Sequence, residues 1–75
     1  MNEDNCKIVL TRIREAAESL KGRLPESPKH PKGRNPYAHI PKVIKSVFGT
    51  SYKELPDEDL EMVIEIIDYC EMYPF

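Results

Sequence analysis

The sequence predicts an all-α fold, a small three-helix domain with a long basic, Pro-rich loop between its first and second helices. Three observations carry that reading. Apolar residues recur every three or four positions in three separate segments, as the buried stripe of an amphipathic helix requires. Four of the seven prolines and two of the three glycines crowd into residues 22–36, where no regular helix or central strand survives. Residues 44–56, Ile-Lys-Ser-Val-Phe-Gly-Thr-Ser-Tyr-Lys-Glu-Leu-Pro, hold the stop signal of one helix and the start signal of the next.

The first helix is expected over residues 5–21. Cys6, Leu10, Ile13, Ala17 and Leu20 form its apolar stripe, widened by Val9 and Ala16. Asn2 or Asn5 caps its N-terminus, the nearby acids suit the positive end of the helix dipole, and Gly22 supplies a left-handed terminator. The loop over 22–36 follows, long enough to be either a functional or a disordered segment. A second helix over 38–48 has Ile40, Val43, Ile44, Val47 and Phe48 at i, i+3, i+4, i+7 and i+8. Pro41 constrains it, so that it either starts near Ile40 or kinks in its first turn, and Gly49 ends it.

A turn over 50–55 comes next, where Ser51-Tyr52-Lys53-Glu54 has the form of a capping box. The third helix is expected over 56–72, with Pro56 at its first position and Asp57, Glu58 and Asp59 at the positive end of its dipole. Leu60, Val63, Ile64, Ile67 and Cys70 form its core stripe, and Glu58, Glu61, Glu65 and Asp68 a separate acidic one. Met62, Ile66, Tyr69 and Tyr73 extend the apolar surface beyond what one helix contact uses.

Seventy-five residues make one domain, 1–75, and bury only about 60–65% of the unfolded surface, so a partner or a second copy is expected to contribute stability. The composition, 40% apolar and 32% charged, is that of a soluble domain, and no apolar run approaches the roughly 20 residues of a membrane span. Met1–Asp4 lacks the basic and apolar regions of a signal peptide, which places the protein in the cytoplasm. There Cys6 and Cys70 read as small apolar core residues rather than as disulfide partners or metal ligands. The net charge of −2 conceals a strong polarity. Residues 21–53 carry eight Lys or Arg against Glu26 alone, whereas residues 54–75 carry eight acids and no base.

No enzyme is expected. His30 and His39 are the only histidines, neither belongs to a nucleophile–base pattern, and there is no glycine-rich phosphate loop or zinc spacing. The acids of the third helix share one face at the spacing of a solvated ridge, so no catalytic, cofactor or metal site is assigned.

The pattern Ile40-x3-Ile44-Lys45-x2-Phe48-Gly49-x-Ser51-Tyr52-Lys53-x-Leu55-Pro56, followed by Leu60, Val63, Ile64 and Ile67, resembles the C-terminal domain of phage antirepressor proteins. About 33 residues carry the resemblance. Leu60 replaces the usual aromatic residue, Val63-Ile64 replaces Ala-Leu, and Pro41 stands where the family has an ordinary helix former. The chain looks like that module standing alone, without the DNA-associated N-terminal domain of a full-length antirepressor. The resemblance implies a phage or prophage origin and a role in transcription regulation.

Two functional readings follow, with a third as a variant. The first is a non-enzymatic interaction module that binds a regulatory protein or itself, a homodimer included, through Met62, Ile66, Tyr69, Met72, Tyr73 and Phe75. The second is nucleic-acid binding through Lys29, Lys32, Arg34, Tyr37, Lys42, Lys45 and Lys53. Helix, turn and helix over 40–72 invite a helix-turn-helix comparison, but the helix that would enter the groove bears Glu61, Glu65, Asp68 and Glu71, which phosphate repels. The variant makes that acidic helix an imitation of DNA that occupies a DNA-binding protein. Neither a membrane nor a small-molecule substrate is expected. Intramolecular salt bridges from Lys42 or Lys45 to the third helix are the bland explanation of the charge split.

Overall fold

The computed structural model describes residues 1–23 and 35–74; most of the basic loop, with Lys29, Lys32 and Arg34, lies outside them, as does Phe75. Among the described residues there are three α-helices: α1, Glu3–Leu20; α2, Pro36–Phe48; and α3, Leu60–Met72. Two short 3-10 turns, Tyr52–Glu54 and Asp57–Asp59, join α2 to α3. The all-α, three-helix class expected from the sequence is the observed one.

Each boundary has a local cause. The Asn2 side chain accepts from the Asn5 N–H to cap α1, and Gly22 takes a left-handed conformation (φ 76°) just beyond its end. The second helix begins at Pro36, earlier than the sequence suggested, because Asn35 caps it by accepting from the Tyr37 N–H. Pro36 then occupies a first-turn position whose N–H needs no intrahelical partner. The helix runs on through Pro41, which withholds one hydrogen bond from the Tyr37 carbonyl, so Pro41 does not mark the start. Pro36, Ile40 and Ile44 bury one face across that gap. Gly49, at φ 78°, closes the helix by donating to the Lys45 carbonyl.

Two expectations for the joint need correction. The Ser51 hydroxyl accepts from the Lys53 N–H, two residues on, while Glu54 donates its N–H to the Ser51 carbonyl, so the turn is an Ser-capped 3-10 turn rather than a reciprocal capping box. Pro56 precedes the 3-10 turn Asp57–Asp59 and is not the first residue of α3. The Asp57 carboxylate serves α1 instead of capping its own helix: its Oδ1 accepts from the Asn2 N–H at 2.6 Å and from Asn5 Nδ2 at 3.0 Å. Beside it the Met1 ammonium donates to the carbonyls of Lys53, at 2.9 Å, and Leu55.

These contacts set the topology. The start of α1 meets the start of the α3 segment at Asp57, and Arg12 and Arg23 reach Asp68 and Glu71 further along, so α1 and α3 run parallel. Tyr37, at the start of α2, bonds to Glu18 near the end of α1, so α2 is antiparallel to both. The core comprises Val9, Ile13, Ala16, Ala17 and Leu20 of α1, Ile40 and Ile44 of α2, and Val63, Ile67 and Cys70 of α3, closed at one end by Tyr52 and Leu55. Leu10, assigned to the stripe of α1, is instead 39% exposed at its edge; Val9 and Ala16 carry the packing.

This packing separates two apolar substitutions that look alike in the sequence. Ile67→Ala empties a fully buried site and should cost about 2–5 kcal/mol, a large part of the stability of so small a domain. Leu10→Ala should cost under about 1 kcal/mol, because much of that side chain already meets water. Urea denaturation followed by helical circular dichroism measures both; equal losses would contradict the placement of the core.

Candidate interaction surface

Opposite charges line two faces of the domain, and the structure treats them differently. On α3, Asp68 and Glu71 are held by Arg12 of α1. Its Nε and Nη2 donate to Asp68 Oδ1 at 3.0 and 2.8 Å, and Nη2 also donates to Glu71 Oε1 at 2.8 Å. Only 23% of the Arg12 side chain is exposed, so this fork works in partial isolation from water. The hydrogen bond from Arg12 holds the Glu71 carboxyl below its ordinary range, and the same bond raises the guanidinium. Half of the acidic array that a DNA imitation would present, Asp68 and Glu71, is thereby neutralised from within. Glu61 and Glu65 remain exposed.

Of the expected nucleic-acid face, Tyr37, Lys42, Lys45 and Lys53 fall within the described residues. The Tyr37 hydroxyl donates to Glu18 Oε1, its ring lies 5.8 Å from Lys21 Nζ, and the Glu18 hydrogen bond raises its pKa. Tyr37 is therefore committed to α1 with a carboxylate at its tip, a poor neighbour for phosphate. Lys42 and Lys45 share a shallow depression with Pro41, Ser51 and Tyr52, and Lys53 follows on the next turn. Among the described residues no ion pair joins Lys42 or Lys45 to α3; the bridges that tie α3 come from Arg12, and the remaining pair, Lys21–Glu18, lies near the end of α1.

Between the two charged faces lies an apolar groove. Val43, Ser46 and Val47 of α2 and Met62, Glu65, Ile66 and Tyr69 of α3 line an open trough of about 560 Å³. Its side chains are well exposed, Val47 at 59%, Met62 at 52% and Tyr69 at 57%. Three of the expected interface residues, Met62, Ile66 and Tyr69, meet here. Tyr73 continues the strip, its ring centroid 5.0 Å from that of Tyr69, and Met72 is exposed near the end of α3.

Val43 and Val47 are members that sequence reasoning placed on the apolar stripe of the second helix and did not count among the interface residues. The signal was the width of the α2 stripe: five apolar residues at i, i+3, i+4, i+7 and i+8 cover more of a helix than one corner of a three-helix cluster can bury. Chemically the groove offers dispersion and desolvation with few polar directing groups, the character of a protein-contact surface. Among the described residues no group of three or more His, Cys, Asp or Glu is placed to hold a metal ion, and no helix is long and apolar enough to cross a membrane. Burial raises the pKa of the Cys70 thiol, which keeps it protonated and unreactive.

The Arg12 fork generates a pH and a mutational signature. The folded pKa of Glu71 is depressed, so its contribution is present above the ordinary carboxylate range near pH 4.3 and is lost as pH falls through the lower folded value. The Asp57 carboxyl, lowered chiefly by the Asn2 N–H, follows the same direction. Arg12→Ala should cost about 0.5–1 kcal/mol at neutral pH, the value of an ion pair still partly screened by solvent, and flatten the acid limb of the stability profile. Urea midpoints between pH 3 and pH 7 would show it; an unchanged acid limb would mean that the fork adds nothing. Compared with known proteins, the chain matches no family model, no curated protein and no solved structure.

Proposed function

We propose that this protein is a non-enzymatic interaction module, antirepressor-like in type, that acts by binding a regulatory protein or a second copy of itself through the groove between α2 and α3. The observation that carries this reading is the groove itself: Val47, Met62 and Tyr69 are each more than half exposed side by side on a domain of 75 residues. Contiguous apolar exposure of that kind is normally covered by another protein. The phage-regulatory part rests on the residue pattern from Ile40 to Ile67 alone. Three exposed lysines, Lys42, Lys45 and Lys53, support nucleic-acid contact as the second reading, with a binding constant that falls steeply with salt. The DNA-imitation variant is the weakest, since Arg12 already occupies Asp68 and Glu71.

Val47→Ser combined with Tyr69→Ser tests the interaction reading, because both side chains are exposed and the change should leave helicity intact. Cross-linking of the wild-type and doubly substituted proteins, in cells and as purified chains, should yield an adduct, with itself or another protein, that the double variant loses. An adduct equally strong in both would place the contact elsewhere. Lys42→Glu with Lys45→Glu should leave DNA retention unchanged if the groove is the working surface; loss of salt-sensitive retention would favour the second reading.

A further inference from the structure

We infer that the groove receives an amphipathic helix of a partner protein, apolar along one face and bearing Lys or Arg along the flank that meets α3. The inference rests on the interaction reading above and names the chemistry of the partner. It starts from the lining. Val43 and Val47 stand on one wall and Met62, Ile66 and Tyr69 on the other, and the polar side chains among them are the Ser46 hydroxyl and the Glu65 carboxylate.

The walls select a helix. A peptide entering in extended form would bury its own N–H and C=O groups, and both walls are helices, which present side chains to the trough rather than the row of backbone donors and acceptors of a sheet edge. A helical guest satisfies its own backbone and brings side chains alone. The α3 wall from Met62 to Tyr69 runs two turns, about 10 Å, which matches an apolar face at i, i+3, i+4 and i+7.

Glu65 selects the sign. It is the charged member of the lining, and a guest that covers the trough takes water from its carboxylate, which is costly without a cation beside it. Arg12 already holds Asp68 and Glu71 from α1, whereas among the described residues no ion pair reaches Glu65 or Glu61, one turn before it on α3. The α2 wall presents no charge to the trough, because Lys42 and Lys45 lie in the separate depression with Ser51 and Tyr52. A guest with Lys or Arg on its α3 side is therefore drawn in and an acidic one repelled, while burial of apolar side chains supplies most of the affinity.

Two labelled synthetic helices of about 16 residues test this, with Leu at i, i+3, i+4 and i+7 and either Lys or Glu on the flanks. Binding to the full chain is read by fluorescence anisotropy. The Leu/Lys helix should bind the wild type about tenfold more tightly than the Leu/Glu helix. Glu65→Lys should erase or reverse that preference, Glu15→Lys, the same charge change on the exposed face of α1, should keep it, and Val47→Ser/Tyr69→Ser should lose both peptides. Circular dichroism of each variant guards against unfolding. Equal affinities for the two peptides, no saturable binding of either, or a preference that Glu65→Lys leaves intact overturns the basic helix. So does a wild type that light scattering finds at twice the chain mass and that falls to the chain mass in Val47→Ser/Tyr69→Ser, since the groove then belongs to a second copy. In each of these cases the interaction reading stands if Val47→Ser/Tyr69→Ser abolishes the cross-linked adduct, and falls if that variant loses nothing.

Discussion

Packing of α3 on α1 is the constraint on which the rest of this domain depends. Val63, Ile67 and Cys70 bury against the Val9–Leu20 face of α1, and two polar clasps hold the helices in register. Asn2 and Asn5 meet Asp57 at one end, and Arg12 meets Asp68 and Glu71 further along. A helix in a cluster of three has room for one such commitment. With one side of α3 given to α1, its other apolar side, Met62, Ile66 and Tyr69, is met only partly by α2 and forms a trough open to solvent. The exposed surface is thus a consequence of how the core closes.

The charge asymmetry has the same origin. Seen along the chain it is a simple split between a basic middle and an acidic end. Folding divides it further. Arg12 comes from α1 to the far end of α3, so the carboxylates of Asp68 and Glu71 are answered within the monomer, while among the described residues no ion pair reaches Glu61 or Glu65. Lys42 and Lys45 likewise keep their charge for solvent or for a partner. What remains is an apolar groove with Glu65 in its lining and Lys42 and Lys45 in a separate depression beside Ser51 and Tyr52. Phosphate binding fits it less well, because Tyr37, the aromatic residue of the basic face, is turned to Glu18 of α1.

Much of this was legible in the sequence, for reasons specific to each element. The three helices follow from apolar spacing strong enough to override two prolines in α2, and Asn2, Gly22 and Gly49 marked ends that the backbone adopts as expected. The start of α2 was misplaced because Asn35 sits in a proline-rich run whose composition masks a cap. The start of α3 was misplaced because Asp57 is recruited by Asn2 and Asn5, a contact across more than fifty residues of sequence that no local pattern encodes. Periodicity identified Met62, Ile66 and Tyr69 as surplus to a single helix contact. It could not assign Val43 and Val47 to the groove, since a stripe tells which face is apolar and not which part of that face a neighbour covers.

The central claim is that the α2/α3 groove is the surface through which this protein works. A titration of backbone amide spectra with the Leu/Lys helix tests it most directly. The account predicts that the peptide shifts the amides of residues 43–47 and 62–69 and leaves the exposed face of α1 around Lys7 and Arg14 unmoved. Shifts that cluster on α1, or on the basic residues from Lys29 to Arg34 while the groove stays silent, would contradict it.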